Sequence, residues 1–280
     1  LLSLVAGATM LLAQWPAYKT QGPRTPTGEL DLNAPAPKAA DGHPDLTGLW
    51  QPQRANLNAA NAKGKGKAAP PPRDPSVPPA GNFADLGAGF EGGLPYTAWG
   101  RQVRDERKGN NSKDNPDANC RPLGFMQLHT HPYEKRIVQG NGSLVIMYNA
   151  NNDVRHILTN GQPLPVVNAD LAPWYYGYSS GKWEGDTLVV TTLGLDDRAW
   201  MDEWGTPFSS DAKFTERWKK SGADRIELTI TVNDPATFTK PWTSAPITFA
   251  RQKEEVLEMI FAPMDEKVFN DRIRNPAAGK

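Results

Sequence analysis

Cysteine is nearly absent from this chain. Its 280 residues include one, Cys120. A single thiol cannot cross-link its own chain, so no internal disulfide framework supports the fold. A cysteine-type zinc site is excluded as well. Cys120 reads as a small buried apolar residue, with an intermolecular disulfide or a reactive thiol as alternatives. Net charge is also missing, since 31 Lys and Arg balance 31 Asp and Glu. Nucleic-acid binders usually carry a basic face, and membrane-surface proteins a basic stretch. Neither class fits, and nucleic acid is not an expected partner. No apolar run reaches the length of a membrane span. No Walker loop, dinucleotide fingerprint, zinc-peptidase helix or haem-attachment motif occurs, and no cofactor is expected.

What the chain does have is turn chemistry. It carries 26 prolines and 25 glycines, which favour loops and hairpins over a helical bundle. Residues 1–13, LLSLVAGATMLLA, are uncharged and apolar. They read as the hydrophobic part of a truncated signal peptide, and a polar, Pro-rich segment follows at once. The expected location is secreted or periplasmic.

Residues 14–95 read as a Pro/Gly-rich arm and loop. They contain a weak internal echo, in which Thr27-Gly28-Glu29-Leu30-Asp31-Leu32 is answered by Asp41-Gly42-His43-Pro44-Asp45-Leu46. Two similar turns are expected there. Leu46 to Trp50 reads as a short strand that pins the arm to the domain, and residues 55–82 as a polyproline-type surface loop. Residues 96–132 form a helix and linker. The helix, expected over 95–108, sets Trp99 and Val103 on one face.

From 133 to 280 the period becomes that of strands. Strands are expected over 134–139, 143–148, 154–159, 174–183, 187–192, 214–219, 225–232, 247–250 and 256–261, mostly joined by tight turns. No βαβ spacing appears, so a parallel sheet is not expected. The fold class is all-β, an antiparallel meander of about eight strands closed as a barrel. A β-sandwich is the alternative.

Three segments carry a resemblance: 40–50 (ADGHPDLTGLW), 177–190 (GYSSGKWEGDTLVV), and Asp234-Pro235 through Pro241-Trp242-Thr243. Together they resemble a large group of secreted proteins abundant in Acidobacteria and soil metagenomes. The resemblance implies export and a lipocalin-like β-barrel, and it implies no particular reaction. Members of that group often carry a histidine just before the serine in the segment matching Gly205 to Ser209. Phe208 holds that place here.

Several clusters could carry chemistry. His129 and His131 would share one side of a strand, and with His156 could form a three-histidine metal site. Pro132 instead suggests a surface loop, and no metal is favoured. Trp183-Glu184-Gly185-Asp186 reads first as a hairpin turn; Trp183 and Glu184 are also ligand-binding candidates. Residues 196–204 (DDRAWMDEW) hold four carboxylates, an arginine and two tryptophans between strands. Arg198, Trp200 and Trp204 could contact a ligand, while Asp197 and Asp202 could act as acids. Their bland reading is a loop packed down by its tryptophans. On the strand that follows, Glu216 and Trp218 share one face, and Trp218 is a further ligand-binding candidate. An inward Glu216 would need a partner, with Arg155 or Arg198 able to serve. Asp197, Asp202 and Glu216 are the catalytic candidates, since paired carboxylates can cleave glycosides at a suitable separation. Ser209-Ser210-Asp211 lacks a nucleophile elbow and reads as turn chemistry.

The leading functional expectation is an exported barrel that binds a small molecule or saccharide. A secreted carbohydrate-active hydrolase or lyase is the first alternative, and a structural envelope or matrix protein the second. A buried cavity containing Glu216 and an Asp of 196–202 would favour the first two, and a filled barrel with no cavity would sink both and leave the third.

Overall fold

The computed structural model describes residues 22–53, 83–119, 121–166, 172–252 and 267–278. The expectations for residues 1–13 and 55–82, for Cys120 and for a strand over 256–261 lie outside the described residues. The strands are β1 Gly48–Pro52, β2 Lys135–Gly140, β3 Ser143–Tyr148, β4 Val154–Leu158, β5 Tyr178–Glu184, β6 Thr187–Leu193, β7 Lys213–Lys220, β8 Arg225–Asn233, β9 Trp242–Thr243 and β10 Ile247–Arg251.

These strands pair in the order β10-β1-β2-β3-β4-β5-β6-β7-β8-β9, and β10 also pairs with β8. The sheet therefore closes into a nine-strand barrel, with β9 added outside the ring. An all-β barrel is what the strand pattern predicts. Two features depart from a simple meander. β1 comes from the arm and inserts between β10 and β2, so the barrel reaches back beyond residue 133. β4 and β5 run parallel and share only the pairs Ile157↔Ser179 and Leu158↔Ser180. A parallel connection needs a crossover rather than a hairpin turn, and 159–177 supply it.

Strict alternation fills the interior. β8 turns Ile226, Leu228, Ile230 and Val232 inward, and β7 turns Phe214, Glu216, Trp218 and Lys220 inward. Trp50, Phe125, Phe208, Phe214, Trp218 and Phe249 are all essentially inaccessible. Phe208, in the place of the group's frequent histidine, packs edge-on to Phe214.

The echo in the arm is real in three dimensions. Arg24 bridges Leu30, and Lys38 bridges Pro44, each with antiparallel geometry. Asp31 N donates to Pro23 O and Asp45 N to Pro37 O, both at 2.8 Å. Gly28 and Gly42 take φ of 85° and 83°, a region that glycine enters without penalty. The second turn grips the barrel: His43 stacks on Trp183 at 4.7 Å and 3°.

The helix α1 spans Ala98–Gly109. It starts later than the sequence pattern suggests. Tyr96 is bridged to Phe238, which leaves Thr97 to cap the helix by accepting from Gly100 N at 3.1 Å. Its buried side is also not the expected one. Trp99 stays 48% exposed, and the close contact is Gly100, where a Cβ would meet Thr237 O at 2.5 Å. Backbone proximity, not apolar periodicity, sets the docking face.

Candidate functional site

The catalytic candidates fall into separate places. Glu216 is fully buried inside the barrel. Arg155 Nη1 donates to its Oε1 at 2.9 Å and Nη2 to its Oε2. The guanidinium also donates to Ser179 Oγ at 2.9 Å and Thr192 Oγ1 at 2.8 Å. His129 Nε2 lies 3.2 Å from Glu216 Oε1. Burial opposes ionisation of Glu216, but Arg155 and His129 outweigh it and hold the carboxyl at about 2. Burial pulls His129 down to about 4 despite Glu216, so the imidazole is neutral at pH 7. Trp218 stacks on Phe249 and presents an edge to His129.

Asp202 is equally buried but belongs to another network. It accepts from Leu86 N at 3.1 Å, Thr206 N at 2.9 Å and Thr206 Oγ1 at 2.7 Å. Asp197 and Arg198 are exposed; Arg198 Nε donates to Asp196 at 2.9 Å. Glu216 and the aspartates of 196–202 therefore share no cavity among the described residues. Inside the barrel, Glu216 is held by its own partners, Arg155 and His129.

The three histidines also stay apart. Residues 129–131 form neither strand nor open loop: the turn α2, Gln127–Thr130, carries His129 inward. His131 lies 3.9 Å from Glu203. His156 sits opposite Val145 on the outer side of β4. No group of three His, Cys, Asp or Glu suited to a metal occurs among the described residues. Glu184 pairs with Arg217 at 3.1 Å on the surface. Ser209 Oγ donates to Asp234 Oδ1 at 2.7 Å and Ser209 N to its Oδ2 at 2.8 Å, a contact between residues 25 apart in the chain rather than within one turn.

Residues 196–204 nevertheless lead to an open cleft among the described residues. Its volume is about 710 Å³. Glu203 and Trp204 line it together with Asn111, Asp117, Tyr133 and Asn151. Phe269 and Ile273, from the helical segment 267–277, complete it. Lys113 Nζ ties that segment down by donating to Ala277 O at 3.2 Å.

The loop is held rigidly. Glu203 N donates to Phe83 O and Trp204 N to Ala84 O, each at 3.1 Å. Lys108 Nζ lies 3.7 Å from the Trp204 ring centroid, and the Arg107 guanidinium 4.7 Å from that of Trp200, both cation–π contacts. Trp200 is 4% exposed, so it packs the loop down while Trp204 reaches the cleft. Beneath them Gly124 leaves no room: a Cβ there would stand 1.8 Å from Trp200 O. Gly124→Ala is expected to cost more than the usual 1–3 kcal/mol of overpacking. A lower Tm together with an altered near-ultraviolet tryptophan signal would show it.

Two properties distinguish this cleft. Burial raises the carboxyls of both Asp117 and Glu203 above their ordinary values, and Asp117 adds to the rise at Glu203. Asn151 Nδ2 donates to Asp117 at 3.1 Å and works against the rise there. The second property is backbone conformation. Asn111, Ser112 and Asn151 have φ of 57°, 53° and 55°, the left-handed region that asparagine tolerates better than most residues. Such residues gather at functional sites more than elsewhere.

No family model, curated protein or solved structure matches the chain.

The site residues that sequence reading missed are Asp117, Tyr133, Asn111 and Asn151. Asn110-Asn111 and 149–153 are legible as turns. Their convergence is not, because it brings together segments far apart in the chain through tertiary packing.

Proposed function

We propose that this protein is an exported β-barrel that binds a small polyhydroxylated molecule, of saccharide type, in the cleft at the barrel end. The carrying observation is the pairing of aromatic rings, Tyr133 and Trp204, with two partly buried carboxyls, Asp117 and Glu203, in one open cleft. Ring faces cover the apolar faces of a sugar, while carboxyls and amides take its hydroxyls. The volume suits a ligand of that size. The apolar stretch at 1–13 and the resemblance carried by 40–50 and 177–190 support export.

Calorimetric titration with a panel of neutral oligosaccharides tests the reading. At least one is expected to bind, and Trp204→Ala to weaken it by about tenfold or more, on the scale of a lost ring contact of about 1.5 kcal/mol. Failure of the whole panel, or equal binding by the variant, would sink it.

A hydrolase or lyase is the second reading, favoured by one observation. A carboxyl raised by burial beside a second carboxyl is suited to act as a general acid. Glu203→Gln would then abolish turnover of the bound saccharide and leave its affinity nearly intact. If neither variant affects anything, the structural envelope role is what remains.

A further inference from the structure

The geometry points to a second ligand site, in the seam between β4 and β5, for an uncharged planar molecule. The two strands share only two residue pairs, and described residues of the segment between them, Gln162 and Ala172, bond to β5. Ser180 Oγ donates to Gln162 O, and Tyr178 OH to Ala172 O at 2.8 Å. These bonds hold the crossover against β5 yet leave a hollow of about 450 Å³ beneath it.

Its lining includes the rings of Trp174, Tyr176 and Tyr178 and the apolar Pro163, Leu164 and Pro165. Trp174 and Tyr178 lie 5.2 Å apart, tilted by 33°. Trp174 is 64% exposed, although large aromatic rings are mostly buried in folded proteins. A flat molecule laid on that ring would cover it.

Charge decides the ligand class. Among the described residues, the one fixed cation lining the hollow is Arg155, and its guanidinium is already taken by Glu216, Ser179 and Thr192. Asp153 lies beside Val154 at the rim, and its carboxyl is occupied by the Tyr176 hydroxyl. Neither offers charge to a ligand.

This site is distinct from the end cleft and does not depend on the saccharide reading. The probe is N-phenyl-1-naphthylamine, uncharged and fluorescent when bound, titrated into the full chain. Saturable binding to one site is expected, with quenching of Trp174 fluorescence. Trp174→Ala should weaken it at least tenfold, while Trp204→Ala in the end cleft leaves it unchanged. Leu164→Asp, which places a charge in the hollow, should weaken it too and guards against a fold effect at Trp174. The sulfonated analogue 8-anilinonaphthalene-1-sulfonate should bind more weakly. Absence of saturable binding, equal binding by both seam variants, or a preference for the sulfonate would overturn the assignment.

Discussion

Glu216→Gln is expected to lose about 3–5 kcal/mol of folding stability, the usual cost of removing one partner from a buried ion pair. The substitution leaves the Arg155 guanidinium inside the barrel with its charge uncompensated. Side-chain volume barely changes, so the loss is electrostatic rather than a packing defect. Ser179 and Thr192 would still accept from Arg155, but hydroxyls do not balance a formal charge. Urea unfolding at neutral pH measures the effect. The companion double variant, Glu216→Leu with Arg155→Met, should recover most of the loss, because an apolar pair of similar volume removes both charges together. Wild-type stability in the single variant would mean that Arg155 finds another counter-charge. A double variant no better than the single would mean that the pair fixes the barrel geometry.

That network was partly legible in the sequence. Alternation along 214–219 puts Glu216 and Trp218 on one face, and burial then demands a basic partner. Arg155 is one of two arginines within reach of that argument, and it is the one used. The contribution of His129 was not legible. Its position depends on the helical turn 127–130, which four residues beside a proline do not announce. The end cleft divides the same way. Glu203 and Trp204 belong to a visibly unusual loop, whereas Asp117 and Asn151 join them only through tertiary packing. The outer seam was hidden for a third reason. Strand patterns give the face of each side chain, but not whether neighbouring strands run parallel.

The second large effect concerns acid. His129 titrates at about 4 in the folded chain, against 6.5 for a free imidazole, because burial penalises its charged form. The unfolded chain therefore binds the proton more readily between those values. The stability contributed by the neutral ring is complete above pH 6.5 and is lost as pH falls from 6.5 through 4. The loss is on the order of 3 kcal/mol, at about 1.4 kcal/mol for each pH unit. Other groups pull the opposite way. Asp153 is raised to about 6, chiefly by burial, so its contribution is present below the ordinary carboxyl range and lost as pH rises through 6. The informative quantity is therefore a difference. Wild type and His129→Gln, which cannot titrate, should be compared by urea unfolding from pH 7 to pH 4. Wild type is expected to lose more stability over that interval. Parallel profiles would show that the ring is not held neutral by burial.

The arm strand β1 has a consequence for how the chain reaches this shape. It lies between β2 and β10, and β10 also joins β8, so residues near 50 and near 250 meet at the closing seam. A ribosome releases β1 long before its second neighbour exists. Until β10 emerges, both β1 and β8 present backbone groups with no strand to pair. Pairings this distant in sequence form slowly, and open strand edges invite association between chains in the meantime. Ring closure is thus the vulnerable step of biogenesis, and a chaperone that shields strand edges would act there.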